Sequence, residues 1–313
     1  MKKISFVIPC YKSEGYIKPV INEIVDIMGQ KNTYDYEIVC TNDHSPDNVL
    51  DVLRGIAAEN EKIKVVSLAK NFGQAAAFVA ALNYVSGDYV VFLDDDGQCP
   101  MDHLDDMIQP LLDGYDVAFA KYPHKKQSAF KNFGSQLNQM MLNWMVEKDK
   151  GVETSNFISA KRYITDEVIK YKGPYPYIEG LLLRQSKNVA NVPMEERERM
   201  EGGTTFTFKK LVSLWVNGFT ALSVKPLRFS MVAGCIIALL GFLYGIRVIF
   251  EYFTDSVITD GWYSLMAVNL FLGGIVLMVL GLIGEYIGRI YMTLVKEPQF
   301  VVSETINIAK KED

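Results

Sequence analysis

Short apolar runs alternate with amphipathic segments along the first 120 residues of the chain. Runs rich in Val, Ile and aromatic residues predict five β-strands, at Ile4–Ile8, Tyr36–Thr41, Ile63–Ser67, Asp88–Leu93 and Asp116–Ala120. Apolar residues at helical spacing predict three α-helices between the first four strands, at Tyr16–Met28, Asp47–Glu59 and Gly73–Val85. Because strands and helices alternate, the pattern predicts an α/β fold with a mostly parallel sheet and helices on both of its faces.

Polar loops follow the predicted strands, with the sequences PCYKSE, TNDHSPD, LAKNFGQ and DDDGQCP. In open parallel sheets, ligands bind at the carboxyl ends of the strands. These loops are therefore expected to form one ligand site at that edge of the sheet. In the second loop, Ser45 or Asp47 is the predicted N-cap of the helix that follows.

Two long uncharged segments, Phe229–Ile246 and Trp262–Ile283, set the C-terminal part of the chain apart. Each is about as long as a helix that crosses a ~30 Å hydrocarbon core. Both are apolar on all sides and end in aromatic or charged residues, which favours membrane spans over buried core helices. The segment before them, Thr207–Ser223, mixes lysines with large apolar residues. It is predicted to lie in the membrane interface, although an ordinary amphipathic surface helix has the same pattern.

The flanking charges predict how these spans are oriented. Lysine and arginine residues precede the first span and follow the second, whereas the connecting loop EYFTDSVITDG contains neither. The positive-inside rule therefore places both termini in the cytoplasm. The predicted organisation is an α/β domain at 1–205, a juxtamembrane amphipathic segment at 206–228, two spans with a short external loop at 229–287, and a cytoplasmic tail at 288–313.

Composition excludes several classes of function. The chain has 313 residues and a formal net charge of -5, which argues against a nucleic-acid-binding protein. Its four cysteines form no CxxC pair, so neither a zinc site nor a disulfide framework is indicated, and a reducing compartment is expected. The glycines of the second span permit close helix packing within one chain or between chains, so a homo-oligomer is possible.

Three adjacent carboxylates, Asp94, Asp95 and Asp96, come directly after the fourth predicted strand. Alternate residues of an extended segment point the same way, so Asp94 and Asp96 would face one site and Asp95 would face away. Gln98 continues the alternation as a neutral oxygen donor. Such oxygens are ligands for Mg²⁺ or Mn²⁺, which would neutralise a leaving diphosphate. The other interpretation is a solvated acidic turn.

The motifs taken together resemble a known family. The stretch YEIVCTNDHSPDNV is similar to EIxxVDDGSxDxT, SLAKNFGQAAAFVAAL to LxRNxGxxAAxxAGL, and GDYVVFLDDDGQCP to GDxVxxMDADLQDPP. The opening ISFVIPCYKSE and the flanks SVKPLR and GEYIGRIY match as well. The chain resembles family-2 glycosyltransferases that act on polyprenyl phosphates, such as dolichol-phosphate mannose synthases and bactoprenol glucosyltransferases.

The resemblance implies a GT-A fold and inverting transfer from a nucleotide sugar, with UDP expected, to undecaprenyl phosphate in the cytoplasmic (inner) membrane. The product would serve cell-surface glycan modification.

The resemblance also assigns site residues. Metal and diphosphate positions fall on Asp94, Asp96 and Gln98. Positions that bind the nucleotide sugar fall on Pro9, Tyr11, Glu14, Asp43, Asn71, Gly73, Asp94 and Asp95. Lys131 and Ser135 are expected to bind the lipid phosphate. Arg199 falls in the loop that closes over the diphosphate. Asp94, Asp96, Lys131 and Arg199 are the expected catalytic residues, although strand ends, turns and solvated surface charges would explain several of these residue types individually.

The chain departs from the family's pattern at several positions. Asn42 and His44 replace an Asp and a Gly of the VDDGS motif, and Cys99 replaces the Asp of LQDP. In ETSNFISAKR, Asn156 replaces the Asp of the family's NxGDFRL segment, and Ile158 its Arg. Sugar specificity is expected around Thr154–Phe157 and Tyr175–Gly180. There, Glu179 is a candidate for contact with a sugar hydroxyl, unless it forms a surface salt bridge.

The predicted chemistry needs no general base. A phosphate monoester has its second pKa near ~6, so the acceptor oxygen is largely deprotonated at neutral pH. Catalysis would then rest on placing that oxygen and on stabilising the leaving diphosphate, with basic residues of YPHKKQSAFK holding the acceptor.

Two alternative functions remain. A processive polysaccharide synthase is disfavoured because no QxxRW motif and only two spans are present. A non-catalytic membrane scaffold is favoured by Asn42 and Asn156 but not by the acidic cluster.

Overall fold

The computed structural model describes residues 1–31, 33–122, 151–173, 176–195, 197, 261–295 and 298–308, together with nine single positions between 227 and 246. The chain divides into two compact units. The first comprises Met1–Leu222 and Lys296–Asp313, and the second comprises Ser223–Val295.

The first unit is built on one sheet, which has eight strands among the described residues. In chain order these are β1 Lys3–Cys10, β2 Asp35–Asn42, β3 Ile63–Leu68, β4 Tyr89–Phe92, β5 Val117–Lys121, β6 Ile158–Lys161, β7 Val189–Pro193 and β8 Val302–Ile306. Their spatial order is β7-β5-β6-β4-β1-β2-β3-β8. Strands β4, β1, β2 and β3 are parallel, β6 runs antiparallel to both β4 and β5, and β8 runs antiparallel to β3. The predicted parallel centre is therefore confirmed.

Helices cover both faces of this sheet. They are α1 Ile17–Gln30, α2 Val49–Glu59, α3 Gln74–Leu82, α4 Leu104–Leu112 after a 3₁₀ turn at Met101–His103, α5 Arg162–Ile169 and α6 Ile178–Gln185. One core cluster joins α1, α2 and α4 to one face, and a second joins α3, α5 and α6 to the other. Helix α3 is buried along nearly its whole length, because its alanines let it pack closely on the sheet.

The sequence located the central strands and the first three helices to within a few residues, but it missed the cap of α2. That helix begins at Val49, with Asn48 as its N-cap residue, rather than at Asp47. The carboxylate of Glu14, on the loop after β1, accepts a bond from the Asn48 backbone N–H at 3.1 Å. The predicted Asp47 still accepts at the helix start, from the Val49 N–H at 3.4 Å, so a local and a tertiary acceptor act together.

The second unit contains one long apolar helix among the described residues, α7 at Trp262–Leu294. Within it, Phe271–Met292 has a mean hydropathy of 1.9 and none of it is buried, so it is long and apolar enough to cross a membrane. The predicted second span, Trp262–Ile283, lies in this helix. Most of the predicted first span, and all of Thr207–Ser223, lie outside the described residues.

Candidate active site

Loops from four neighbouring parallel strands meet at the carboxyl edge of the sheet. The Tyr11 N–H, after β1, donates to Asp95 Oδ2, after β4, at 3.1 Å. Asp43, after β2, accepts bonds from the loop after β3. Gln74, at the start of α3, donates to Asp94. The loops that the sequence placed at one edge therefore contact one another there.

Asp94 lies at the centre of this site and is held by two amides. Gln74 Nε2 donates to its Oδ1 at 2.6 Å, and Asn156 Nδ2 donates to its Oδ2 at 2.7 Å. Asn156 comes from the segment before β6, 62 residues further along the chain. An aspartate at position 156 would place a second carboxylate against Asp94, whereas the asparagine supplies a donor.

The acidic cluster sits in surroundings that disfavour negative charge. Burial raises the pKa of Asp94 to about 7, and the charges of Asp96, Asp95 and Glu179 add to the shift, while the Asn156 bond opposes it. Burial likewise raises the pKa of Asp95 to about 6, against the bond from the Tyr11 N–H. Two carboxylates with raised pKa values at the end of a strand are a common mark of a functional site.

The predicted alternation of side chains does not extend through the cluster. Strand β4 ends at Phe92, and Asp95 and Asp96 lie in a turn, so the spacing rule for extended chain ceases to apply. The Asp94 carboxylate contacts Gln74 and Asn156, whereas that of Asp95 reaches the loop after β1. The buried Asp96 accepts a bond from the Gln98 N–H at 3.1 Å.

The oxygens present are of the kind that hard divalent cations prefer. Among the described residues, no group of three or more His, Cys, Asp and Glu side chains could hold a metal ion. Mg²⁺, however, is often bound by one or two carboxylates together with substrate phosphates, so the cluster fits such an ion. The Gln98 amide is partly engaged elsewhere, because its Nε2 donates to the Arg197 carbonyl at 3.3 Å.

Three predicted nucleotide-sugar residues form one hydrogen-bonded unit. The buried Asp43 carboxylate accepts bonds from the Phe72 N–H at 2.7 Å and the Gly73 N–H at 2.8 Å. Asn71 Nδ2 donates to the Asp43 carbonyl at 3.2 Å. Burial raises the pKa of Asp43, and the two backbone bonds oppose that shift. Gly73 has a φ of +90°, which few other residues adopt, so it turns the chain into α3.

The three predicted residues of the first loop have different surroundings. Pro9 lies inside β1 opposite Thr41. The side chain of Tyr11 is 42% exposed, which leaves its ring available to a ligand. The Glu14 carboxylate accepts bonds from the backbone and side chain of Asn48, so it is committed to the start of α2.

The departures at Asn42 and His44 have local explanations. Asn42 is buried, donates to Ser67 Oγ at 3.0 Å and accepts from the Ser45 N–H at 3.1 Å, so its side chain ties β2 to β3 and to the following loop. His44 has a φ of +49°, in the left-handed region where histidine is more frequent than most residues with a Cβ. The backbone therefore keeps a conformation that suits the glycine of the family's motif.

Glu179 is a second predicted specificity residue, and it acts on Asp94 through its charge. It lies in the first turn of α6, and burial raises its pKa to about 7. Its charge contributes to the raised pKa of Asp94, which places the two carboxylates in one electrostatic environment. Asn156 and Glu179 thus approach the cluster from segments that follow it by 60 to 85 residues.

Sequence reasoning missed two residues of the site region. Gln74 contacts Asp94, and its place directly after Gly73 in the NFGQ loop was the available signal. Arg197 ties its segment to two other elements, with Nη1 donating to Glu23 at 2.7 Å and Nη2 to Asp102 at 2.5 Å. The predicted Arg199, Lys131 and Ser135 lie outside the described residues.

Comparisons with known proteins agree with this picture along the chain. Residues 5–170 match the family described as Glycosyl transferase family 2, and residues 225–290 match the GtrB C-terminal hairpin. The chain is 33% identical over 309 residues to the glycosyltransferase YkcC of Bacillus subtilis (strain 168), covering 98% of this chain and 95% of that one. It is 28% identical over 316 residues to an undecaprenyl-phosphate 4-deoxy-4-formamido-L-arabinose transferase of Yersinia enterocolitica, covering 100% and 96%.

A solved structure shares the fold. A crystal structure of glucosyl-3-phosphoglycerate synthase from Mycobacterium tuberculosis, in complex with Mn²⁺, UDP and glucosyl-3-phosphoglycerate, superposes with a TM-score of 0.53. The two chains are 20% identical, and the match covers 71% of this chain and 80% of that one. The sheet, the family match and the relatives lead to one conclusion: the chain is a glycosyltransferase with a GT-A-like α/β fold and belongs to glycosyltransferase family 2.

Proposed function

We propose that this glycosyltransferase transfers a sugar from a nucleotide sugar to undecaprenyl phosphate, giving a polyprenyl-phosphate-linked sugar for cell-surface glycans. The observation that carries the proposal is a partly buried carboxylate cluster at the carboxyl edge of the sheet, on a chain that also contains an apolar helix long enough to cross a membrane. The full-length similarity to a transferase named for undecaprenyl phosphate supports the choice of acceptor.

The nucleotide sugar would lie over the loops that meet at this edge. Its nucleotide end would contact the loops of Asp43 and Tyr11. Asp94 and Asp96, with Gln98, would hold Mg²⁺ or Mn²⁺, which supplies charge neutralisation for the leaving diphosphate. UDP is the proposed nucleotide, because the solved structure with the same fold was determined with Mn²⁺ and UDP. Arg199 would add positive charge at the diphosphate.

The residues around Asp94 favour an acceptor that needs no deprotonation. The amide of Asn156 occupies a position where a carboxylate could have served as a base, and it is already bonded to Asp94. A phosphate oxygen would attack the anomeric carbon as the bond to the nucleoside diphosphate breaks, with inversion at that carbon. Lys131 and Ser135 are proposed to hold this phosphate, and Glu179 to contact a hydroxyl of the sugar.

The proposed membrane organisation has residues 206–228 at the interface and two spans within 229–287. The structure supports an even number of crossings, because β8, which follows α7 in the chain, pairs with β3, which precedes the second unit. In the proposed arrangement, both ends of that unit lie on the same side of the membrane. If α7 crosses, a second crossing must precede it, and the positive-inside rule puts the α/β domain in the cytoplasm.

A transfer assay in detergent micelles tests the proposed function. Purified protein would be mixed with undecaprenyl phosphate, Mg²⁺ or Mn²⁺, and UDP-, GDP- or dTDP-linked sugars, and the lipid products would be analysed by mass spectrometry. We expect one donor to give a glycolipid that disappears when a chelator is added. Absence of product with every donor, in protein that still binds a nucleotide, would overturn the proposal.

A further inference from the structure

Residues 298–308, which follow α7 in the chain, belong to the first unit and contact several of its elements. Strand β8 pairs with β3 from Val65 to Leu68, and Ser303 Oγ donates to the Ser67 carbonyl at 3.0 Å. The predicted cytoplasmic tail, 288–313, therefore contains an edge strand of the sheet. This strand covers the hydrogen-bonding edge of β3, which would otherwise be open.

One end of this segment contacts both loops that border the acidic cluster. The Val301 carbonyl accepts a bond from the Ala69 N–H at 2.8 Å, at the start of the loop that Asp43 holds at its other end. Gln299 Nε2 donates to the Gly173 carbonyl at 2.5 Å, in the segment that leads to Glu179 and α6. Few residues separate these two contacts along the chain, so a single stretch holds both loops.

The other end of the same segment lies away from the cluster. Asn307 Nδ2 donates to the Ala57 carbonyl at 2.6 Å and to the Ile63 carbonyl at 2.9 Å, which secures the end of α2 and the start of β3. Arg54 of α2 forms an ion pair with Glu304 at 2.5 Å. Because β3 is parallel to β1, its start lies at the edge of the sheet opposite the site.

We propose that residues 299–301 are a positioning segment for the nucleotide-sugar site, in which Gln299 and the Val301 carbonyl hold the loops of Gly73 and Glu179 at their working separation. The inference rests on the proposed function for the identity of the ligand. Gln299 is thus a positioning residue rather than a catalytic one.

Two matched variants of the full chain separate positioning from general stability. Gln299→Glu and Asn307→Asp each replace an amide by a carboxylate of the same shape and remove one donor group. Asn307 has a φ of +55°, and aspartate tolerates that region as asparagine does, so the backbone is preserved. The first change acts at the site end of the segment and the second acts at the far end.

The measurements are the dissociation constant for the UDP-sugar, KM and kcat of transfer, and the midpoint of thermal unfolding. We expect Gln299→Glu to raise the dissociation constant and KM by about three- to tenfold, the usual effect of one lost hydrogen bond, with kcat within about twofold. Asn307→Asp should lower the unfolding midpoint without changing either constant. Gln299→Ala should reproduce the first result if the glutamate variant does not fold.

The inference is overturned if Gln299→Glu binds the nucleotide sugar as the wild type does, or if both variants weaken binding equally. The binding readout also separates this inference from the proposed function. A wild-type protein that binds a nucleotide sugar but transfers nothing to undecaprenyl phosphate would contradict the proposed function, and the Gln299 comparison would still decide the inference. A wild type that binds no nucleotide sugar would contradict both.

Discussion

At the scale of single residues, the environment of Asp94 explains why three adjacent carboxylates are tolerated. Each of its two oxygens accepts a bond from a neutral amide, from Gln74 and from Asn156. These bonds orient the carboxylate without cancelling its charge. The remaining lone pairs are then available to a cation or to a ligand, as the proposed function requires.

The change Asn156→Asp tests this arrangement. It removes a donor from Asp94 and adds a like charge, so we expect kcat/KM for transfer to fall about ten- to a hundredfold, the usual cost of one lost bond to a charged group. Asn188→Asp is the matched control, because Asn188 Nδ2 donates to the Gly114 carbonyl, away from the cluster. Equal activity in both variants would show that Asn156 does not support Asp94.

Gly87 offers a residue-scale test of packing. A Cβ at this position would lie 2.7 Å from the Lys3 carbonyl oxygen and from Ser5 Oγ. We expect Gly87→Ala to lower the free energy of unfolding by about 1–3 kcal/mol, as overpacking of a core does. Gly55→Ala is the control: in α2, a Cβ at Gly55 meets nothing within 4 Å, so alanine should stabilise the helix by up to ~1 kcal/mol. Thermal unfolding of the purified variants would measure both, and similar shifts in the two would contradict the packing argument.

At the scale of elements, Glu37 joins three strands and a loop through one buried carboxylate. Its oxygens accept bonds from Lys3 Nζ at 2.9 Å, Lys64 Nζ at 2.8 Å, Ser5 Oγ at 2.6 Å and the Ser86 N–H at 2.5 Å. Burial alone would raise the pKa of Glu37, but the bonds from Lys64, Ser5, Lys3 and Ser86 outweigh it and hold the pKa at about 2.

This cluster predicts how stability depends on pH. The pKa of Glu37 is lower in the folded protein than its ordinary value of 4.5, so its contribution is present above pH 4.5 and is lost as the pH falls towards 2. We expect Glu37→Gln to lower the free energy of unfolding at pH 7 by about 3 kcal/mol. In this variant the free energy of unfolding should also fall less steeply between pH 4.5 and pH 2 than in the wild type. Denaturant unfolding at several pH values would measure the free energy of unfolding. An equally steep loss of stability at acid pH in the variant and in the wild type would contradict this role of Glu37.

At the scale of the whole molecule, the pairing of β3 with β8 bears on the proposed membrane topology. The sheet contains chain from before and after the second unit, so, if that unit crosses a membrane as proposed, its two ends lie on the same side. This restriction does not follow from the apolar character of α7 alone. It links the number of crossings to a hydrogen-bonded strand in the α/β domain.

Labelling of introduced cysteines would test the topology. In intact spheroplasts, Ser256→Cys in the acidic loop should react with a membrane-impermeant maleimide, and Ser303→Cys on β8 should react only after permeabilisation. Of the four native cysteines, Cys10, Cys40 and Cys99 are buried, and a Cys235→Ala background removes the fourth. Reaction of both positions from the outside, or of neither, would exclude the proposed two-span arrangement.

The sequence by itself determined the central parallel sheet, its two helical layers and the edge at which the site lies. Strands β1 to β4 each contain an apolar run and the helices between them have clear periodicity, so local pattern and burial agree. It also determined the family, because the motifs fall in the loops after those strands.

Only the tertiary structure decided which groups meet in the site. Asn156 contacts Asp94 from a segment whose local pattern is weak, and Glu179 acts on it by charge. Strands β6 and β8 contain serine and charged residues among their apolar ones, so periodicity did not identify them. Such contacts depend on strand order and on chain returning from beyond α7, which spacing along the sequence does not encode. For the same physical reason, the sequence predicted a tail where the fold has the edge strand β8, preceded by the residues proposed to position the loops of Gly73 and Glu179.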